Sequence, residues 1–150
     1  MIEGGESVLS PSLEDYLEEI YRLALSSQTV RVTDISHKLS VSLPSVNKAV
    51  HKLKVQAYVD YERYKEITLT DKGKELGYFL VQRNQLLQKF LNMICSNCQV
   101  AAEAEAMEHY LSEPTILAIQ SLVHFLQRSP ECYRRFLDFR QAVDQDIPTE

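Results

Sequence analysis

Residues 32–77 read VTDISHKLSVSLPSVNKAVHKLKVQAYVDYERYKEITLTDKGKELG, and the hydrophobic period changes along them. Thr33 or Asp34 can cap a short helix that turns Ile35 and Leu39 inward. A tight connection through Val41, Ser42 and Leu43 leads to a second helix starting near Pro44, with Val46, Ala49, Val50 and Leu53 as its apolar face. Ser45, Asn47, Lys48, His51 and Lys52 fall on the opposite face. Beyond it, Tyr58-Val59-Asp60-Tyr61 and Ile67-Thr68-Leu69-Thr70 alternate apolar and polar side chains and are rich in β-branched and aromatic residues, which reads as a hairpin. The charged Glu62-Arg63-Tyr64-Lys65-Glu66 separates its strands. Two short helices joined by a tight turn are a helix-turn-helix, with the second as recognition helix.

Upstream, Ser12-Leu13-Glu14-Asp15 offers a capping serine with an acid three residues on, with Pro11 just before it. Leu13, Tyr16, Leu17, Ile20, Leu23 and Ala24 then recur at helical spacing, and the helix fades at Ser26-Ser27. Helix, helix-turn-helix and hairpin, in that order, make a winged helix. Downstream, a long helix is expected from Asp71 to about Ile94, a strut leaving this domain. An alanine-rich helix follows near Val100 to Leu111. Another opens at Ser112-Glu113-Pro114, and its Ile116, Leu117, Ile119, Leu122, Val123, Phe125 and Leu126 are apolar over more than half the circumference. A helix apolar so far round must be covered on two sides, and a second copy of the chain is the economical cover. The last helix, Pro130 to about Val143, turns Tyr133, Phe136, Leu137 and Val143 inward.

The formal charge of −5 on 150 residues is unevenly spread. Residues 1–30 hold one Arg against six acids, residues 31–94 eleven Lys and Arg against six acids, and residues 95–150 four Arg against nine acids. A basic middle third inside an acidic protein is what a DNA-facing segment looks like, although charge alone leaves a solvated basic face open. With the helix-turn-helix added, the expected DNA contacts are Arg31 and Thr33, then Ser45, Asn47, Lys48, His51 and Lys52, then Arg63 and Lys65 near the wing tip. The start, MIEGGES, is acidic where a signal peptide would be basic and apolar, and the longest apolar stretch, Thr115 to Leu126, is too short for a bilayer. A cytoplasmic protein is expected.

Two acidic groups share helix faces. Asp15 with Glu18, and Glu105 with Glu108 and His109, lie three or four residues apart and can each converge on a point. Acids that complement a helix dipole, or an exposed surface pair, are the alternatives, and neither spacing is that of a zinc finger or EF-hand. Cys95-Ser96-Asn97-Cys98 is a lone pair of thiols without a second pair, for which free buried thiols are the simpler reading. Neither a Ser-His-Asp arrangement nor a Gly-rich phosphate loop is present, so an enzyme is not expected.

The chain resembles the manganese transport regulators, the short branch of the diphtheria toxin repressor family. The resemblance runs from Ser10-Pro11-Ser12-Leu13-Glu14-Asp15-Tyr16-Leu17-Glu18, through the winged helix and Leu69-Thr70-Asp71-Lys72-Gly73, to Glu105-Ala106-Met107-Glu108-His109-Tyr110-Leu111-Ser112. It implies a mostly α protein: a winged helix-turn-helix DNA-binding domain over 1–75, then an all-helical dimerisation and metal-binding domain over 76–150, linked by the helix at about 71–94. The chain stops where longer members add an SH3-like domain. The resemblance further implies a homodimeric repressor of metal-uptake genes on double-stranded operator DNA, responding to Mn²⁺ or to Fe²⁺, Zn²⁺ or another divalent cation. Its ligands would be Asp15, Glu18, Asn84, Glu105, Glu108 and His109. Asn84, after Arg83, stands where these regulators carry a histidine, and an amide oxygen there makes a harder site that favours Mn²⁺ over Zn²⁺ in ligand preference while lowering affinity for both. The residues also leave open a DNA-binding dimer with a degenerate metal site, regulated otherwise or constitutive, and a winged-helix module that binds no DNA.

Overall fold

The computed structural model describes residues 9–26, 29–62, 65–95 and 97–146. The chain divides into two compact units at Arg83/Asn84. The first holds α1 (Pro11–Ser26), α2 (Val32–Leu39), α3 (Leu43–Val55), β1 (Val59–Tyr61), β2 (Ile67–Leu69) and the start of α4 (Asp71–Ile94). The second holds the rest of α4, then α5 (Val100–Glu108), α6 (Glu113–Arg128) and α7 (Pro130–Asp146).

Pro11 fits the first helical position, where its missing N–H is not needed, so α1 begins there. Ser10, rather than the expected Ser12, closes the end: its carbonyl accepts from the Leu13 and Glu14 N–H groups at 2.8 and 3.0 Å. α2 starts at Val32, ahead of both expected caps, and Asp34 serves it from inside by accepting the Arg31 N–H at 2.9 Å. The tight connection to α3 passes through Ser40, which adopts a left-handed φ of 53°. Ser42 then caps α3 by accepting the Ser45 N–H at 3.3 Å.

The end of α3 sets the wing. Ala57 is left-handed, with φ 60°. It donates to the Lys54 carbonyl at 2.9 Å while Tyr58 donates to that of Leu53 at 2.9 Å, a paired closure of the last turn that sends the chain into β1. β1 and β2 pair antiparallel with Val59 opposite Leu69, Asp60 opposite Thr68 and Tyr61 opposite Ile67, and Val30 bridges Ile67. Thr70 then opens α4: its hydroxyl oxygen accepts the Gly73 N–H at 3.0 Å. Gly73 packs against the Tyr58 backbone so closely that a Cβ would fall 1.9 Å from the Tyr58 oxygen.

The core of the first unit is continuous. Leu17 and Ile20 of α1, Ile35 of α2, Val46, Val50 and Leu53 of α3, Val59 and Ile67 of the wing and Leu80 of α4 are all buried in one cluster. In the second unit Leu86, Leu87 and Leu91, Ala104, and Ile116 and Val123 are buried. α6 buries only those two apolar residues fully, leaving Leu117, Leu122 and Phe125 exposed. Val143, expected on the inner side of α7, is also exposed, whereas Tyr133, Phe136 and Leu137 are half-buried. No helix among the described residues is long and apolar enough to cross a membrane.

Candidate nucleic-acid interface and metal centre

Because Val46, Ala49, Val50 and Leu53 are spent on the core, α3 turns Ser45, Asn47, Lys48, His51 and Lys52 to solvent. Between this face, the head of α2 and the wing lies an open groove of about 940 Å³. Of the expected DNA contacts, Arg31, Thr33, Asn47, His51 and Lys65 line it. Ser45, Lys48 and Lys52 lie outside that lining, on exposed α3 positions. Arg63 lies outside the described residues.

Lys54 and Tyr61 also line the groove and were missed in the sequence. Asn47, His51 and Lys54 recur at i, i+4 and i+7, so helical spacing could have found the lysine. The lysine amine donates to the Tyr61 carbonyl at 2.6 Å, and the Tyr61 hydroxyl donates to Asn47 Oδ1 at 3.2 Å. These bonds tie the recognition helix to the wing, so the two polar edges are held in one orientation. Two of the groove's cations already face acids. Arg31 lies 3.7 Å from Glu66, and Lys65 pairs with Glu62. The hydrogen bond from Lys65 holds the Glu62 carboxyl below its usual range. Being exposed, such pairs exchange readily for phosphate.

The acids of α1 separate into different roles. Glu14 is buried and accepts from the Arg83 guanidinium at 2.9 Å, an ion pair that spacing could not show. Glu18 is buried and accepts from Arg22 one turn on, at 2.5 and 3.1 Å. Asp15, half-buried, lies one turn before Glu18.

In the second unit Glu108 is 3% exposed, at the last position of α5, and His109 caps that helix. The His109 Nε2 lies 4.0 Å from Glu108 Oε1, and the Asn84 amide donates to Glu108 Oε2 at 3.0 Å. Asn84 is itself buried and accepts from Gln88 Nε2 at 2.7 Å. The structure therefore gathers Asn84, Glu108 and His109, while Glu105 sits on the exposed side of α5. Gln88 was not foreseen, although its i+4 offset from Asn84 was the available signal. One carboxylate, one imidazole and one amide make an oxygen-rich nitrogen and oxygen set, which fits Mn²⁺ or Fe²⁺ better than a soft ion.

Cys95 and Cys98 stand between α4 and α5 as free thiols, partly exposed where burial was expected. A hydrogen bond between them holds Cys95 below the usual thiol range and raises Cys98 to about 11.

Comparison with known proteins joins the two surfaces. Residues 8–67 match the iron dependent repressor N-terminal DNA binding domain, and residues 70–136 match the iron dependent repressor metal binding and dimerisation domain. The HTH-type transcriptional regulator MntR of Lysinibacillus sphaericus is 41% identical over 127 residues, which are 84% of this chain and 91% of that protein. MntR of Geobacillus kaustophilus is 38% identical over 137 residues, 91% of this chain and 97% of that one. Among solved structures, the manganese regulator SloR superimposes with a TM-score of 0.67 at 29% identity over 78% of this chain, which spans 55% of SloR. A manganese-dependent transcriptional repressor in complex with manganese gives 0.69 at 28% identity, covering 75% of this chain and 53% of that one. The chain belongs to the diphtheria toxin repressor family of metal-dependent transcriptional regulators, in its manganese transport regulator branch.

Proposed function

We propose that this chain is a homodimeric repressor of metal-uptake genes that reads Mn²⁺ and binds double-stranded operator DNA through α3 and the wing. Arg31, Thr33, Ser45, Asn47, Lys48, His51, Lys52, Arg63 and Lys65 are the proposed DNA contacts. Asp15 and Glu18, with Asn84, Glu105, Glu108 and His109, are the proposed ligands. The observation that carries the metal reading is the buried Glu108 carboxylate with Asn84 on one oxygen and His109 near the other. A carboxylate so withdrawn from water is costly unless a donor or cation faces it.

The residues divide the work. Lys48 and Lys52 meet phosphate, while Asn47 and His51 present hydrogen-bonding groups to base edges. When bound, the cation supplies positive charge that cancels the mutual repulsion of the ligand carboxylates. The ligands act on DNA binding only by holding metal better in one arrangement of the dimer than in another. The apolar face that α6 leaves uncovered, with Phe125 55% exposed, supports closure by a second copy.

Calorimetric titration of the full chain with Mn²⁺, Fe²⁺ and Zn²⁺, beside fluorescence anisotropy on promoter DNA, tests the reading. Metal should tighten DNA binding by about 5- to 150-fold, the usual range of a coupling between sites, with reversal by chelator. Glu108→Ala should abolish that response. Equal DNA affinity with and without metal would point to the constitutive dimer.

A further inference from the structure

Asn84 carries a donor and an acceptor side by side on one planar amide, so a half-turn of that amide exchanges the group that faces Glu108. Glu108 accepts only, so the amide must turn its NH₂ toward the carboxylate, and it does so at 3.0 Å. The amide oxygen is then directed to Gln88, one turn along α4, which donates to it at 2.7 Å. In this state Asn84 offers Glu108 the positive end of a dipole, and its oxygen is bonded to Gln88 rather than turned to the Glu108 side. A metal ion requires the reverse, with oxygen toward the carboxylate and NH₂ away. Gln88 can follow, because its own amide also carries both groups: turned over, it accepts from the Asn84 NH₂ instead of donating to the oxygen.

We propose that Asn84 and Gln88 form a two-position amide switch over Glu108, donor-inward without metal and acceptor-inward with it. The proposal rests on the metal reading above and adds to it a positioning residue, Gln88, and a reason for a raised metal threshold. Each cation must displace a buried, charge-assisted hydrogen bond before Asn84 can serve as a ligand. The metal-free state is thereby stabilised from within, without a second protein or a proton.

The test is Mn²⁺ calorimetry on the full chain together with the metal-free melting temperature. Gln88→Glu can only accept, so it pins the Asn84 NH₂ outward and its oxygen toward Glu108. Gln85→Glu places the same charge on an exposed neighbouring position of α4 and serves as the control. Gln88→Glu should melt lower without metal and bind Mn²⁺ about tenfold more tightly, the size of one buried hydrogen bond. The control should stay within about twofold, as exposed charges do. Asn84→Asp, nearly isosteric, should also melt lower without metal, gain Mn²⁺ affinity and rise above the wild-type melting temperature in Mn²⁺; it carries the test if Gln88→Glu fails to fold.

If the wild type binds Mn²⁺ and Gln88→Glu binds no better than Gln85→Glu, the switch is overturned and the metal reading stands. An Asn84→Asp chain with wild-type melting temperature and affinity overturns it equally. Binding by Asn84→Asp and Gln88→Glu but not by the wild type overturns the switch, since the wild-type amide then never turns for Mn²⁺. Absence of Mn²⁺ binding in all of them removes both the switch and the reading on which it rests.

Discussion

The winged-helix unit closes its core from its own elements, whereas the helical unit leaves apolar surface that its own elements do not cover. Leu17, Ile20, Ile35, Val50, Leu53 and Leu80 are each fully buried in the first unit. Its exposed α3 face carries Ser45, Asn47, Lys48, His51 and Lys52, with the exposed apolar residues Leu43 and Val55 at its two ends. In the second unit α6 buries Ile116 and Val123 and exposes Leu117, Leu122 and Phe125, while α7 exposes Phe139 to 69%. A protein surface that is polar after folding suits a polar partner such as DNA, and one that remains apolar suits another copy of itself. The difference teaches that the two units answer different physical demands: one must be complete before it binds, the other is completed by binding.

Breaking the completeness of the first unit should have the largest effect. Glu14→Ala removes the partner that Arg83 meets at 2.9 Å in a buried pair, and stability should fall by about 3–5 kcal/mol. Urea denaturation followed by circular dichroism measures it, and a loss below about 1 kcal/mol, the range of exposed pairs, would mean that the pair is effectively solvated. The incompleteness of the second unit is probed by Phe125→Glu, which puts a charge on the apolar face of α6. Association should weaken by at least about 2 kcal/mol per interface, as for a central contact residue, and sedimentation would show monomer at concentrations where the wild type is dimeric. The winged helix should melt unchanged in that variant; if it unfolds as well, the two units do not differ in the way described.

Smaller effects sharpen the contrast on the polar side. Lys52→Ala should weaken DNA binding uniformly across sequences and lower the slope of log affinity against log salt by about one. An unaltered slope in anisotropy titrations from low to moderate salt excludes a phosphate contact there. Ala57→Gly relieves a non-glycine residue at φ 60° and should raise stability by about 1 kcal/mol, the order of the left-handed penalty. Thermal denaturation checks the sign, and a decrease would mean that the Ala57 methyl group contributes packing greater than its strain.

Much of the first unit was legible because its signals are local. Pro44 near the start of α3, the inward Val46, Ala49, Val50 and Leu53, and the alternation through Val59 and Ile67 all act over a turn or a strand pair, whereas the Ser42 cap came only with the structure. The first helix was read two residues late at its start because Ser10 and Ser12 are equivalent by residue type, and only Pro11 at the first helical position separates them. In the proposed metal site the types of Asp15, Glu18, Glu108 and His109 were visible as helix-face neighbours. Their partners were not, because Glu18 could pair with Arg22 or face elsewhere, and an amide such as Asn84 carries no charge by which spacing could assign its orientation.

By itself the sequence determined the succession of helices and hairpin, the basic middle third between acidic ends, and an α6 with more apolar surface than one neighbour can cover. These follow from interactions between residues a few positions apart and from composition. Only the tertiary structure decided that Arg83 meets Glu14 across 69 positions, that Asn84 meets Glu108 across 24, and which apolar side chains of α6 remain exposed. Such pairings depend on the path of the chain between the partners, and burial then selects which polar groups must satisfy one another because water no longer can.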